Sequence, residues 1–226
     1  MLRVKIIQET AHFRIPTIGV INITYPLPPP STVYGFLRHA TDLPINAGNT
    51  KIAIQGSYEG SSIEIEKLIE EKGGKTTSNV IRTQILYGCE WIIHLKSEPE
   101  FENEILSRLE NSGKITRFGR TQDLIIDFSV EEVEEKELSV YVLTEDGNDI
   151  QNKSNYYVNP EKMDLEYSSK YVSGSMYLVP FDTDFKDNKT RYKHIFKRLI
   201  YTDADIQVND DYKDKTYDGK YVVCWI

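Results

Sequence analysis

Five of the nine prolines fall in residues 11–40, AHFRIPTIGVINITYPLPPPSTVYGFLRHA, and they dictate what this stretch can become. Pro16, Pro26 and the run Pro28, Pro29, Pro30 each fix φ near −65°, lack a backbone donor and push the preceding residue to extended geometry. The run is therefore a stiff, extended lead-in. A helical pattern begins directly behind it, with Val33, Phe36, Leu37 and Ala40 on one face. Ser31 is placed as the N-cap of this helix, its hydroxyl accepting from the amide of Val33 or Tyr34. A capped helix at the end of a stiff arm has first-turn amides free to meet an anion. The same pattern also describes a proline-rich loop feeding a core helix. Gly35 lies inside the helix, where glycine costs about 1 kcal/mol against alanine. That suits a point where something passes close to the backbone.

The chain has 226 residues, enough for one large domain or two small ones. Apolar residues make up 39%, ample for a core, and fifteen tyrosines with eight phenylalanines exclude a disordered composition. No stretch approaches the ~18 apolar residues of a membrane span, and MLRVKIIQE at the start is no signal-peptide core. A soluble, cytoplasmic protein is expected. Cys89 and Cys224 lie far apart with no companion cysteine, which excludes a disulfide framework or zinc knuckle and leaves packed thiols. The net charge of −8 argues against a broad nucleic-acid patch. Its distribution is uneven. Residues 1–60 carry five Lys/Arg against three Asp/Glu, a net +2, whereas residues 131–226 carry thirteen against twenty, a net −7. Any nucleic-acid site is therefore local, built from a few arginines and backbone amides.

Period-2 alternation of Leu2, Val4 and Ile6 with Arg3 and Lys5 predicts a first strand, and residues 51–58 predict a second. Residues 31–41 are the first helix. Residues 59–84 are polar, Gly-rich at their tip, and fit either a short helix or a strand; either way they look like an excursion from the body. Residues 85–96 are a strong strand. A capping box at Ser97 and Glu100, with Pro99 in the first turn, opens a second helix carrying Phe101, Ile105, Leu106 and Leu109. Residues 114–122 are a basic, glycine-containing turn, and residues 123–130 another strand. This order is the βαββαβ pattern of an α+β, ferredoxin-like (RNA-recognition-like) domain over residues 1–130, with 59–84 as a thumb-like insertion. Residues 131–226 read as a β-rich C-terminal region. Strands are expected at 138–144, 175–179, 198–201 and 221–226, and turns at Asp146-Gly147 and Asp218-Gly219. Eleven of the fifteen tyrosines lie there, and half-buried sheet surface explains them better than a stacking platform.

Several partial motifs fail on chemistry. Gly74-Lys75-Thr76 lacks the glycine five residues upstream and the leading strand of a P-loop. Asp214, Asp218 and Gly219 lack the bidentate glutamate of a calcium loop. None of His12, His39, His94 and His194 has a ligand at metal spacing. No cofactor is expected. Metal-free RNA cleavage needs only an acid–base pair and a cation. His12, Tyr34, His39 and Lys114 offer these groups, although no spacing selects them. Arg117-Phe118-Gly119-Arg120 is the best signal outside the proline arm: a glycine for close approach, two arginines for phosphate, and a ring for stacking. It reads equally as an ordinary turn with solvent-facing arginines. The basic run at 186–198 is either a solvated face or a contact to a phosphate backbone.

Three places together carry a resemblance to a known family. They are Ala11–Arg14 with Thr24-Tyr25-Pro26 and PPPSTVYG (28–35); Val80–Tyr87 leading into Trp91–Leu95; and Phe118-Gly119-Arg120. The chain resembles CRISPR-associated protein family five, the RAMP-superfamily subunit of type I Cascade effectors. The likeness covers about residues 1–130, and residues 131–226 carry no matching motif. It implies a non-catalytic subunit that caps the five-prime handle of crRNA, for antiviral defence. The thumb would pack on the backbone (Cas family seven) subunit, the body would contact the large subunit, and target DNA would be engaged only through the guide. Arg14, Arg82, Arg117 and Arg120 would hold phosphates, with Lys114 and Tyr34 lining the cradle. The Ser31 helix start, Gly35 and Gly119 would allow close backbone approach, and Phe118 or Tyr25 would stack on a base. The pattern looks type I-B-like. In the type I-C subtype a member of the family cuts repeat RNA itself, so a metal-independent endoribonuclease is the alternative. An isolated RNA-recognition-like module is the third reading.

Overall fold

A computed structural model describes residues 1–16, 21–137, 155–162, 174–186, 190–202 and 215–226. The alternation at the N-terminus builds β1 (Leu2–Ala11), with Leu2, Val4 and Ile6 buried and Arg3 and Lys5 turned to the other face. After the short β2 (Ile21–Asn22) come α1 (Pro30–Thr41), β3 (Lys51–Ser57), β4 (Gly60–Lys72), β5 (Lys75–Lys96), α2 (Pro99–Glu110) and β6 (Ile125–Glu132). The sheet order β6-β1-β5-β3 is antiparallel between every pair of neighbours, and β5 lies between β1 and β3. This is the split βαβ arrangement of a ferredoxin-like domain. The protein is α+β, with a β-rich C-terminal region.

Register explains the core. Leu2, Val4 and Ile6 oppose Leu95, Ile93 and Trp91, and Ile52 and Ile54 oppose Leu95 and Ile93. These form one apolar face that packs with Val33 and Leu37 of α1 and Ile105 and Leu109 of α2. Both helices open differently from the sequence reading. The N-cap of α1 is Pro29, not Ser31, with Pro30 in the first turn and no side-chain cap. That of α2 is Glu98, with Pro99 in the first turn, not the Ser97 capping box. In each case a proline, which needs no amide partner and already has helical φ, takes the first position. Ser97 instead donates its hydroxyl to Thr50 at 2.9 Å.

Residues 59–84 adopt the strand alternative. β4 and β5 form a long hairpin that turns at Gly73 and Gly74, φ +59° and +73°, as a two-residue turn with both central residues left-handed requires. Past the sheet body β5 pairs with β4 and the short β2, and its side chains at 76–80 are exposed.

The sheet does not stop at residue 130. β8 (Asn155–Val158) adds to the edge of β3, with Gln55 opposite Tyr156, followed by β10 (Thr190–Thr202) and β9 (Ser175–Lys186). β9 and β10 are longer than the strands expected at 175–179 and 198–201. Strand 138–144 and the turn at Asp146 fall outside the described residues. A small sheet of β7 (Lys136–Glu137), β11 (Lys215–Tyr217) and β12 (Val222–Cys224) lies against the other face of the main sheet, and the Ile226 amide donates to the Ile52 carbonyl at 3.1 Å. Asp218, in the β11–β12 turn, accepts from Arg3 at 2.5 Å and from His94 Nε2 at 2.8 Å. Tyr156, Tyr157 and Tyr217 are buried, so these tyrosines are sheet packing. Cys89 and Cys224 are buried thiols, each pushed up to about 12 by desolvation.

Candidate nucleic-acid interface

The proline arm is fastened at both ends. The Ile15 amide donates to Ile23, the Tyr25 amide to Phe13 at 2.7 Å, and the Phe13 amide to the Thr24 hydroxyl at 2.8 Å. Pro26 to Pro30 are buried, and Tyr157 donates its hydroxyl to the Leu27 carbonyl at 3.0 Å. The arm thus sets where α1 begins. Its neighbour is the turn at 117–120, which hangs on a buried polar chain. Trp91 Nε1 donates to Gln8 Oε1 at 3.0 Å, and Gln8 Nε2 donates to the carbonyls of Phe118 and Asp123, both at 2.9 Å. Arm, helix and turn together wall an open groove of about 1410 Å³. The base of the β4–β5 hairpin (Glu66, Thr83) and the β9–β10 hairpin (Asp182, Thr183, Asp184, His194) complete its lining.

Of the residues singled out in sequence, Arg14, Ser31, Gly35, Arg117, Phe118, Gly119 and Arg120 line this groove. Arg14 and Arg117 are exposed, and among the described residues neither forms an ion pair with a carboxylate. A Cβ built on Gly35 would meet nothing within 4 Å, so this face of α1 is open to a ligand. Gly119 has φ +106°, and a Cβ there would sit 3.1 Å from Asp123 Oδ2, so no other residue fits without strain. At the helix start Thr32 and Val33 both donate to the Pro29 carbonyl, and Pro30 has no amide. Of the first-turn amides, that leaves the one on Ser31 outside these bonds.

Five expectations change. Phe118 is 1% exposed and packs edge-to-face on Phe36 and Phe13, with centroids 5.2 and 5.7 Å apart, so it presents no face to a base. Tyr25 is also 1% exposed, donates to the Leu178 carbonyl at 2.7 Å, and has its phenol pushed up to about 12 by desolvation. Tyr34 is buried and donates to the Thr50 carbonyl at 2.9 Å, its pKa raised by desolvation. Lys114 is outside the groove lining and pairs with Asp42, a lining residue at the end of α1. Arg82 is exposed on the hairpin, opposite Ile65 and likewise outside the lining.

Arg120 is in the groove but is not a free cation. Its Nε and Nη2 donate to the fully buried Asp123, Nη2 at 2.8 Å, and its Nη1 donates to Glu66 at 2.7 Å. Asp123 Oδ2 also accepts the amides of Arg120 at 3.0 Å and His12 at 3.2 Å. This carboxylate, read in the sequence only as the start of a strand, is the hub that folds the glycine turn onto the end of β1.

Three histidines face the groove: His12, His39 and His194. His12 Nδ1 lies 2.7 Å from the Gln84 carbonyl, an acceptor, so Nδ1 carries the proton and Nε2 keeps a lone pair. Burial pushes the His12 pKa below its ordinary value, outweighing the Gln84 bond, so the ring is neutral at pH 7. Of the four groups that could have served acid–base chemistry, only His12 and His39 line the groove. Among the described residues no three His, Cys, Asp or Glu side chains cluster as a metal site needs.

No family model matches the sequence, and no curated protein matches it. Solved structures do. A chain of a structure described as "CRISPR RNA-guided surveillance complex" is 13% identical, with a TM-score of 0.54, over 94% of this chain and 95% of that one. A chain of the "Type III-B Cmr-beta bound to cognate target RNA and AMPPnP" is 13% identical, with a TM-score of 0.49, over 88% and 86%. A "CRISPR protein from Archaeoglobus fulgidus" is 15% identical, with a TM-score of 0.45, over 99% and 98%. At these identities the first match shows a shared fold along nearly the whole chain.

Proposed function

We propose that this chain is a non-catalytic, RNA-binding subunit of a CRISPR effector, of CRISPR-associated protein family five and type I-B-like, that caps the five-prime handle of crRNA. The observation that carries this reading is the groove. The PPPSTVYG segment and the Arg117–Arg120 turn, distant in sequence and singled out independently, form adjoining walls, with Arg14 and Arg117 free of carboxylate partners among the described residues and with Gly35 open. Two point cations and a backbone that can be closely approached suit one strand with splayed bases better than a duplex. The fold shared with a chain of an RNA-guided surveillance complex supports the same reading. On the β4–β5 hairpin Ile63, Ile65, Ile69 and Val80 are 55–73% exposed, an apolar ribbon suited to a protein neighbour such as the backbone subunit.

The test is co-expression with the backbone and large subunits and a CRISPR array. Wild type should bring down crRNA with a protected five-prime handle. Arg14→Glu with Arg117→Glu should assemble poorly and leave the handle open to nuclease. Normal handle protection in the double variant would overturn the assignment, and co-purification with neither partner nor RNA would favour an isolated module. One observation keeps an endoribonuclease reading in play: a neutral His12 with its Nε2 lone pair beside Arg14. Site-specific cleavage of repeat RNA in EDTA, lost in His12→Ala, would replace the non-catalytic role.

A further inference from the structure

Glu66 stands where the β4–β5 hairpin leaves the sheet, at the groove's edge. Three donors converge on its carboxylate. Arg120 Nη1 reaches Oε1 at 2.7 Å, Gln122 Nε2 reaches Oε1 at 3.2 Å, and Thr83 Oγ1 reaches Oε2 at 2.7 Å. Two of these donors are pre-set without Glu66. Thr83 is 1% exposed on β5, and the Arg120 fork is held from its other side by the buried Asp123. Glu66 itself is a third exposed, and Arg120 already has its charge partner in Asp123. The fold therefore does not need Glu66 for charge balance, yet three N–H and O–H groups, two of them pre-set, point at one anion beside the open arginines.

We propose that Arg120 Nη1, Gln122 Nε2 and Thr83 Oγ1 form an oxyanion subsite for one phosphate of the bound strand, and that Glu66 is an internal anion filling it until the strand arrives. A carboxylate carries one negative charge over two oxygens, as does a phosphodiester over its two non-bridging oxygens, so one replaces the other on the same donors. Displacing Glu66 frees the hairpin base from the 117–123 turn, which couples strand entry to the position of the hairpin. Burial works to raise the Glu66 pKa, but the Thr83 bond and the Arg120 charge hold it below the usual carboxylate range, so the filler is charged. The strand rests on the RNA-binding reading above; the subsite's taste for oxyanions does not.

The test is affinity for a single-stranded RNA by fluorescence anisotropy across salt, with urea unfolding to verify each variant's fold. Glu66→Ala should bind at least fivefold more tightly than wild type, with a log–log salt slope steeper by about 0.7, the release expected for one more phosphate on a single strand. Asp184→Asn, which removes another groove carboxylate, should give a smaller gain and no added slope. Thr83→Val in the Glu66→Ala background should erase most of the gain. Equal gains in Glu66→Ala and Asp184→Asn, or weaker binding by Glu66→Ala, would overturn the subsite and leave the RNA reading standing. If no variant binds RNA, the Arg120 Nε NMR signal of Glu66→Ala titrated with inorganic phosphate decides. A shift lost in Thr83→Val keeps the subsite and ends the RNA reading, and no shift ends the subsite.

Discussion

Replacing Asp123 by alanine should unfasten the glycine turn from the sheet, and the size of the effect follows from what the carboxylate holds. It is fully buried, it takes the Nε–Nη2 edge of the Arg120 guanidinium, and its Oδ2 accepts two backbone amides. Without it the buried His12 amide has lost its acceptor, a cost of about 1–3 kcal/mol. The four-fifths-buried Arg120 keeps only Glu66. Breaking a buried pair from one side costs about 3–5 kcal/mol, which we take as the total because the two terms share atoms. For a chain of this length that lowers Tm by about 6–20 °C. Asp123→Asn keeps an acceptor for the amides and should lose about half as much. Differential scanning calorimetry with urea midpoints reads both. A Tm for Asp123→Ala within 2 °C of wild type would show that the turn is held by Gln8 and the Phe118 packing, and that the hub role is wrong.

Phe118→Ala should cost about 3–5 kcal/mol in urea unfolding, the loss of a buried ring, and it tests core packing against a stacking role because a solvent-facing ring would cost under 1. Gly56→Ala places a Cβ 2.4 Å from the Glu90 carbonyl and 2.6 Å from Trp91, and backbone cannot retreat from it, so a loss of about 1–3 kcal/mol or more is expected and wild-type stability would contradict the register. Acid should destabilise in two stages. His94 is fully buried, its Nδ1 has no partner among the described residues, and desolvation lowers its pKa, so its share of stability is present above about pH 6.5 and is lost as pH falls below that value. Burial works to raise Asp218, but His94 and the amides of Tyr221 and Lys220 depress it, so its share is present above about pH 4 and is lost below. His94→Gln keeps a donor for Asp218 and should flatten the first stage of a midpoint-against-pH curve; an unchanged slope would remove His94 from the account.

The proline arm and both helices were legible because proline acts locally, through its own φ and its missing donor. The same property hid the true helix starts, since a proline at the first position makes a neighbouring Ser or Thr cap unnecessary. Residues 59–84 were ambiguous for another reason. Ile63-Glu64-Ile65-Glu66 alternates as a strand does, but Ile63 and Ile65 are exposed, and with no buried face the sequence cannot favour period two over the helical reading through Leu68 and Ile69. In Arg117-Phe118-Gly119-Arg120 the two arginines look equivalent. They are separated by Asp123, whose i,i+3 spacing to Arg120 was visible, and by Glu66, 54 positions away, which was not. An aromatic in a loop, such as Phe118 or Tyr25, carries no mark in sequence of whether it faces core or solvent.

The most direct measurement is photo-crosslinking of a 4-thiouridine-labelled single-stranded RNA to the purified chain, with mass-spectrometric mapping of the adducts. Crosslinks concentrated in residues 12–14, 31–39 and 117–120, and lost with Arg14→Glu and Arg117→Glu, are what a groove-bound strand predicts. Crosslinks confined to the apolar ribbon of β4–β5 or to the outer face of β9–β10, unchanged by those substitutions, would contradict it.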